Sequence, residues 1–260
     1  HVEEHQPLSD FGWQVSGEMG HGKLKSALLE QKARALRGDR PYEPDYSLSF
    51  RLDGGTGYPA SVFYGVTELP PEQRNMGIVT ALSLDFLDEA LQQDGPWCCF
   101  VSVQEPHDPF IAGQEAFDQY DVEAMPLSEN VHDDLTGRPG IYRKSARVWA
   151  QMTDHQRREA AACYYASITE IDHQFGRILD RVKQAGQMDN TLVVLTSDHG
   201  ELLGAHGMYC KNFSAYEEIY NIPLIMTGPG MPEGVTTSAR VGSHDLCPTL
   251  LDLAGVKRPA

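Results

Sequence analysis

The chain has 260 residues, of which 41% are hydrophobic and 22% are charged, a composition typical of a globular protein with a sizeable core. Its formal net charge of −16 argues against binding to nucleic acid or to anionic membrane surfaces. No stretch reaches the ~20 apolar residues that a membrane span requires. The five cysteines, an odd number, predict no disulfide framework and favour a reducing, cytoplasmic compartment.

The first part of the chain, residues 1–70, is rich in Gly, Pro and Tyr. We predict an irregular, substrate-side segment there, with one helical patch near residues 24–36 and a turn at Gly54 and Gly55. From residue 71 the pattern becomes regular, and apolar residues at helical spacing predict a helix up to the terminator Asp94-Gly95-Pro96.

Strands and helices alternate through the rest of the chain. Strands are predicted at residues 97–103, 191–196 and 221–227, and helices at residues 153–186 and 243–254. Residues 113–150 are polar and broken. This order predicts a single α/β domain over residues 1–260, whose core part, residues 71–260, has a mostly parallel sheet flanked by helices. In such sheets the active site lies at the carboxyl ends of the strands.

Asp198 and His199 directly follow the strand predicted at residues 191–196. A carboxylate and an imidazole at a strand's exit can turn toward one metal ion, the first as a hard oxygen ligand and the second as a neutral nitrogen ligand. Gly200 would let the backbone turn tightly after them. The alternative is an ordinary loop in which the pair only makes hydrogen bonds.

Two further polar residues can reach the same place. His107 lies in the run Glu105-Pro106-His107-Asp108-Pro109, where two prolines restrict the backbone around an imidazole that suits proton transfer or contact with an anion. Lys211 follows the Asp-His pair by a short loop, and its charge would stabilise oxygens that become negative. The alternatives are a structural turn histidine and a solvated surface lysine.

Together these clusters resemble the signature of the sulfatase family within the alkaline phosphatase superfamily. The similarity is carried by WCCFVSVQEPHDPF, TLVVLTSDHGELLGAHGMYCKNFSAYEEIYNIPLIMTGPG and SHDLCPTLLDLAGV, in that order. The resemblance implies an alkaline-phosphatase-like fold and a divalent metal bound in part by Asp198 and His199. It also implies that His107 assists the leaving oxygen and that Lys211 binds sulfate oxygens. His1, matched to the end of the family's Gly-Lys-Trp-His stretch, would hydrogen-bond the nucleophile.

The resemblance further implies parts that we do not find in the 260 residues. Family members carry a Cys-x-Pro/Ala-x-Arg motif whose cysteine is oxidised to formylglycine, and none of the five cysteines has this context. The family's N-terminal pair of aspartate ligands and its C-terminal subdomain are also expected elsewhere. We therefore expect a central, partial sulfatase catalytic domain, with Ca²⁺ as the metal and formylglycine upstream.

Three functions are compatible with these residues. The first is metal-assisted hydrolysis of a small-molecule or carbohydrate sulfate ester by the intact parent protein. The second is hydrolysis of a phosphonate or phosphate ester with Mn²⁺ or Zn²⁺, because the two reactions make the same demands on geometry and charge. The third is a non-catalytic, sulfatase-like binding or structural module.

The isolated chain is expected to bind a divalent metal weakly and to hydrolyse no aryl sulfate. It carries two of about four protein metal ligands and no nucleophile motif, so a complete metal site cannot form from it alone. Hydrolysis is measured with a chromogenic aryl sulfate in the presence of Ca²⁺ or Mn²⁺. Turnover by the chain alone would contradict this expectation.

Overall fold

The structure, a computed structural model, describes residues 13–14, 27–38, 45–56, 59–211 and 213–256. The helices in these ranges are α1 (Ala27–Arg37), α2 (Asn75–Ala90), α3 (Gln114–Phe117), α4 (Gly140–Trp149), α5 (Asp154–Gln184), α6 (Glu217–Tyr220) and α7 (Leu246–Leu253). The strands are β1 (Tyr46–Arg51), β2 (Val62–Thr67), β3 (Phe110–Gly113), β4 (Val193–Thr196) and β5 (Leu224–Thr227). None of the helices in these ranges is both long and apolar enough to cross a membrane.

The described strands form two small sheets. In the first, β2 pairs with β1 in antiparallel and with β3 in parallel orientation. In the second, β4 and β5 pair in antiparallel orientation. The predicted α/β class is confirmed, but the pairing is mixed and not mostly parallel. The physical reason is clearest for β1 and β2, because a short connection through Gly54 and Gly55 returns the chain directly and permits only antiparallel pairing.

The prediction of an irregular segment over residues 1–70 is wrong for β1 and β2. Residues of β1 alternate between half-buried and exposed, and β2 contributes Phe63, Tyr64 and Val66 to the core. The alternating apolar residues of YSLSFR were the strand signal, and the high content of Gly, Pro and Tyr obscured it. The helical patch predicted in this part of the chain corresponds to α1.

The strand predicted at residues 97–103 does not form. Its residues alternate in exposure as those of a strand do, but no described strand pairs with it, so the hydrogen-bond ladder that defines a strand is missing there. The next strand is β3, at the border of the region predicted to be broken. That region also contains α4, which ends in the buried side chain of Trp149.

The longest helix, α5, supports both the sheet and α2. It begins with a capping box, in which the Thr153 hydroxyl accepts from the backbone amide of Gln156 and the Gln156 side chain accepts from the backbone amide of Thr153. It ends before Gly186, which has a φ of +70°. The face toward the sheet carries small residues, including Ala160 and Ala166, which leave room for the aromatic side chains of β2.

The hydrophobic core is centred on the ring of Phe63. The centroid of this ring lies 4.7 Å from that of Trp149, 5.0 Å from Phe110 and 5.1 Å from Tyr209. Aromatic contacts at such distances stabilise a core beyond the area that they bury. Since Tyr209 lies two residues before Lys211, the core fixes the end of the loop that carries this lysine.

Candidate active site

The structure brings together four residues that the sequence patterns singled out, namely Asp198, His199, His107 and Lys211. Nζ of Lys211 lies 3.2 Å from Nε2 of His107. The rings of His107 and His199 meet edge to face with centroids 5.8 Å apart, and Nε2 of His199 lies 3.7 Å from Oδ2 of Asp198. Consecutive side-chain contacts thus connect all four residues. His1 lies outside the described residues.

The turn after β4 positions the Asp-His pair. The Ser197 hydroxyl donates to the carbonyl of His199 over 2.7 Å, and the Gly200 amide donates to the carbonyl of Ile219 over 2.8 Å. A Cβ atom on Gly200 would lie only 1.9 Å from the carbonyl oxygen of Glu218. Only glycine therefore allows α6 to approach this turn so closely.

The donor atoms of Asp198 and His199 fit one divalent cation. Nδ1 of His199 lies 2.8 Å from the carbonyl oxygen of Gly200, so Nδ1 carries the ring proton and Nε2 keeps its lone pair on the side of Asp198. The Asp198 side chain is 87% exposed. Two ligands of one ion lie roughly 3–4 Å apart, which agrees with the observed separation. Within the described ranges no third His, Cys, Asp or Glu completes a metal cluster.

Asp108 orients the imidazole of His107. Nδ1 of His107 lies 3.0 Å from the Asp108 carboxylate and 2.9 Å from its carbonyl oxygen, so Nδ1 donates and Nε2 faces Lys211. The hydrogen bond to Asp108 raises the pKa of His107, while partial burial and the Lys211 charge oppose this rise. The sequence pattern did not single out Asp108, although a carboxylate adjacent to a histidine was a usable signal.

Glu201 connects the Asp198–His199 pair to Lys211. Its buried Oε1 accepts from the Leu203 amide over 3.0 Å and from the Cys210 amide over 2.6 Å. Burial raises the pKa of Glu201 to about 7, and the two backbone hydrogen bonds act in the opposite direction. Because Glu201 lies two residues after His199 and Cys210 lies directly before Lys211, this carboxylate closes the loop between them.

His206 stabilises the same loop from its other side. Its Nδ1 lies 2.7 Å from the carboxylate of Asp133, and its backbone amide donates to the Asn130 side chain over 2.9 Å. The imidazole stacks on Tyr216 with centroids 3.9 Å apart. In these contacts His206 faces the segment around residue 130, which supports a structural role for it.

The sequence profile of the family described as Sulfatase matches residues 27–256. The chain belongs to the sulfatase family. It is 33% identical over 177 residues to a protein of Escherichia coli strain K12 named Uncharacterized sulfatase YidJ, covering 68% of this chain and 35% of that protein. It is 32% identical over 171 residues to the choline-sulfatase of Rhizobium meliloti strain 1021, covering 62% of this chain and 32% of that protein.

The fold is similar to that of a phosphonate monoester hydrolase from Silicibacter pomeroyi, with a TM-score of 0.71 and 27% sequence identity. The similarity covers 90% of this chain and 47% of that structure. The predicted alkaline-phosphatase-like α/β fold of this sulfatase chain is thereby confirmed. The chain spans about a third of the length of the two curated relatives and about half of the solved structure.

Gly200→Ala is expected to lower the free energy of unfolding by about 1–3 kcal/mol, because its Cβ would meet the carbonyl oxygen of Glu218 and force the backbone apart. The matched control is Gly176→Ala in the middle of α5, where no atom lies within 4 Å of the added Cβ. This control is expected to stabilise the chain by about 0.5–1 kcal/mol. Chemical denaturation measures both, and a Gly200 variant as stable as the control would refute the close approach.

Proposed function

We propose that the protein containing this chain hydrolyses sulfate esters with the help of a divalent metal. The contact between Lys211 and His107 beside the Asp198–His199 pair carries this proposal. It brings together a cation, a proton carrier and two candidate metal ligands, which are groups that metal-assisted ester hydrolysis uses in addition to its nucleophile. Membership in the sulfatase family supports the same reaction.

Lys211 and His107 have complementary roles in the proposed reaction. The Lys211 ammonium stabilises the ester oxygens, on which negative charge increases in the transition state. His107, held at Nδ1 by Asp108, delivers a proton from Nε2 to the departing alcohol oxygen. The raised pKa of His107 favours the protonated form that this step needs.

Asp198 and His199 would bind the metal through Oδ2 and Nε2, the atoms that face each other. The bound ion supplies Lewis-acid polarisation of the ester oxygens. In this proposal the ion is Ca²⁺, which prefers the oxygen ligands that the family's additional aspartates would add to Asp198. The nucleophile, a formylglycine, is expected from a segment upstream of His1, and His1 would hydrogen-bond to it.

The substrate in this proposal is a small-molecule or carbohydrate sulfate ester. The name of the choline-sulfatase relative supports a small sulfate ester. The contact of Lys211 with His107 also supports an anionic substrate, because both side chains can carry positive charge and the Lys211 side chain is exposed to solvent. The bulk charge of −16 would repel extended polyanions such as nucleic acids from the rest of the surface.

A second candidate is hydrolysis of a phosphonate or phosphate ester. It is favoured by the similarity to the phosphonate monoester hydrolase, which covers 90% of this chain. The nitrogen ligand His199 would then suit Mn²⁺ or Zn²⁺. The values of kcat/KM for an aryl sulfate and an aryl phosphonate, measured on the same full-length preparation, distinguish the two. Absence of both activities would favour a non-catalytic module.

Lys211→Met is expected to lower kcat of the full-length protein on an aryl sulfate about 10²–10³-fold, with a smaller change in KM. The reason is that the ammonium group stabilises charge that develops mainly in the transition state. The matched control, Lys144→Met, changes an exposed lysine on α4 and is expected to leave both constants unchanged. A Lys211→Met variant that keeps kcat within about threefold of the wild type would exclude this role.

A further inference from the structure

We propose that Glu105 is a positioning residue for His107, an inference that rests on the proposed function. The His107 side chain is 44% exposed and occupies the turn between the extended segment at residues 97–103 and β3. An imidazole this exposed keeps its orientation toward Lys211 only if the backbone of its turn is fixed. Asp108 orients the ring itself, and the residues that hold the two ends of the turn fix the backbone from which His107 and Asp108 project.

Glu105 holds the beginning of the turn. Its Oε1 accepts a hydrogen bond from the backbone amide of Met76 over 3.3 Å, in the first turn of α2. The positive end of the α2 dipole favours a carboxylate at this place. Burial raises the pKa of Glu105, whereas the backbone hydrogen bonds and the charge of Arg74 lower it. Glu105 is thus a half-buried carboxylate that is bonded to the backbone of α2.

Arg74 and Glu170 hold the end of the turn. Arg74, the residue before α2, donates from Nη1 to the carbonyl of Ile111 over 3.1 Å and forms a buried ion pair with Glu170 of α5. The Glu170 carboxylate in turn accepts from the Gly113 amide over 3.1 Å. A Cβ atom on Gly113 would lie 2.5 Å from Oε1 of Glu170, so β3 is packed directly against this carboxylate.

Both ends of the turn are therefore attached to the N-terminal end of α2. Glu105 attaches the entrance through the Met76 amide, and Arg74 attaches the exit through β3. The His107 ring projects from between these attachments toward Lys211. Substituting Arg74 or Glu170 would leave a buried charge without its partner and threaten the whole fold. Glu105 is the attachment that can be changed with the least damage.

The test compares Glu105→Ala with Glu105→Gln in this chain by NMR, using the nuclear Overhauser contacts of the His107 ring with the His199 ring and the Lys211 side chain. Glutamine retains the oxygen that accepts from Met76, so Glu105→Gln is expected to keep the contacts. Glu105→Ala is expected to weaken them several-fold. Wild-type intensities in folded Glu105→Ala would overturn the proposal, as would their loss in Glu105→Gln.

Two further variants separate positioning from stability. Thr80→Val removes the buried hydrogen bond from Thr80 to the Met76 carbonyl without touching the turn, and it is expected to keep the His107 contacts. If Thr80→Val also loses these contacts, general destabilisation of α2 is enough to remove them. The proposal that Glu105 positions His107 would then be overturned. If Glu105→Ala does not fold, Glu105→Asp replaces it, because its side chain is one methylene too short to reach Met76. Unchanged contacts in Glu105→Asp would overturn the proposal equally.

Kinetics of the full-length protein distinguish this inference from the function on which it rests. Glu105→Ala is expected to lower kcat about tenfold with KM within about twofold, and Glu105→Gln is expected to restore kcat. His107→Ala is measured beside them. If His107→Ala leaves kcat unchanged, the proposed function of His107 fails. If it lowers kcat and Glu105→Ala does not, only the positioning role of Glu105 fails.

Discussion

The contact between Lys211 and His107 joins two residues that are 104 positions apart, and the candidate site depends on it. A lysine ammonium can only donate, so the 3.2 Å contact requires an unprotonated Nε2 on His107. Protonation of this nitrogen would turn the attraction into repulsion. An anionic ester between the two groups would relieve that repulsion and stabilise both charges. The resting structure has an unprotonated Nε2 on His107, and the proposed reaction needs a protonated one. The two are therefore different protonation states of the same pair of residues.

The scaffold fixes this pair through buried interactions of different kinds. The aromatic group around Phe63 holds Tyr209, and Glu201 bonds the amides that flank the loop leading to Lys211. The turn that carries His107 is fixed by the bond of Glu105 to the first turn of α2 and by the bond of Arg74 to β3. None of these groups is one of the four residues of the candidate site. Apolar packing and buried carboxylates thus fix the backbone around the site. The exposed side chains of the site remain available for the proposed reaction.

The sequence led to the four site residues because each follows a predicted strand or a short loop after one. For Asp198 and His199 this reasoning matches the structure, since β4 ends directly before the pair. For His107 the residue came from the pattern, but the strand predicted before it is unpaired and β3 after it is the element that holds the turn. His107 was still assigned to the site because the family resemblance includes this residue.

Other features could not be found from the sequence. The pairing of Arg74 with Glu170 and the bond of Glu105 to the α2 backbone join residues far apart in the chain, and no local pattern reports such contacts. Likewise, the sequence indicates only that Gly200 belongs to a turn. The structure shows that a larger residue is excluded there because α6 approaches the turn closely. Patterns of hydrophobicity identify elements, but close packing between them is decided by the whole fold.

The proposed arrangement of two metal ligands next to His107 is tested most directly by paramagnetic broadening of histidine signals during a titration with Mn²⁺. Broadening is expected first at His199 and, at the same metal concentrations, at His107. His155 provides the internal control, because it lies between the carboxylates of Glu123 and Glu159 and would attract a cation through acidity alone. Broadening of His155 before His199, or of His199 without His107, would contradict a common site.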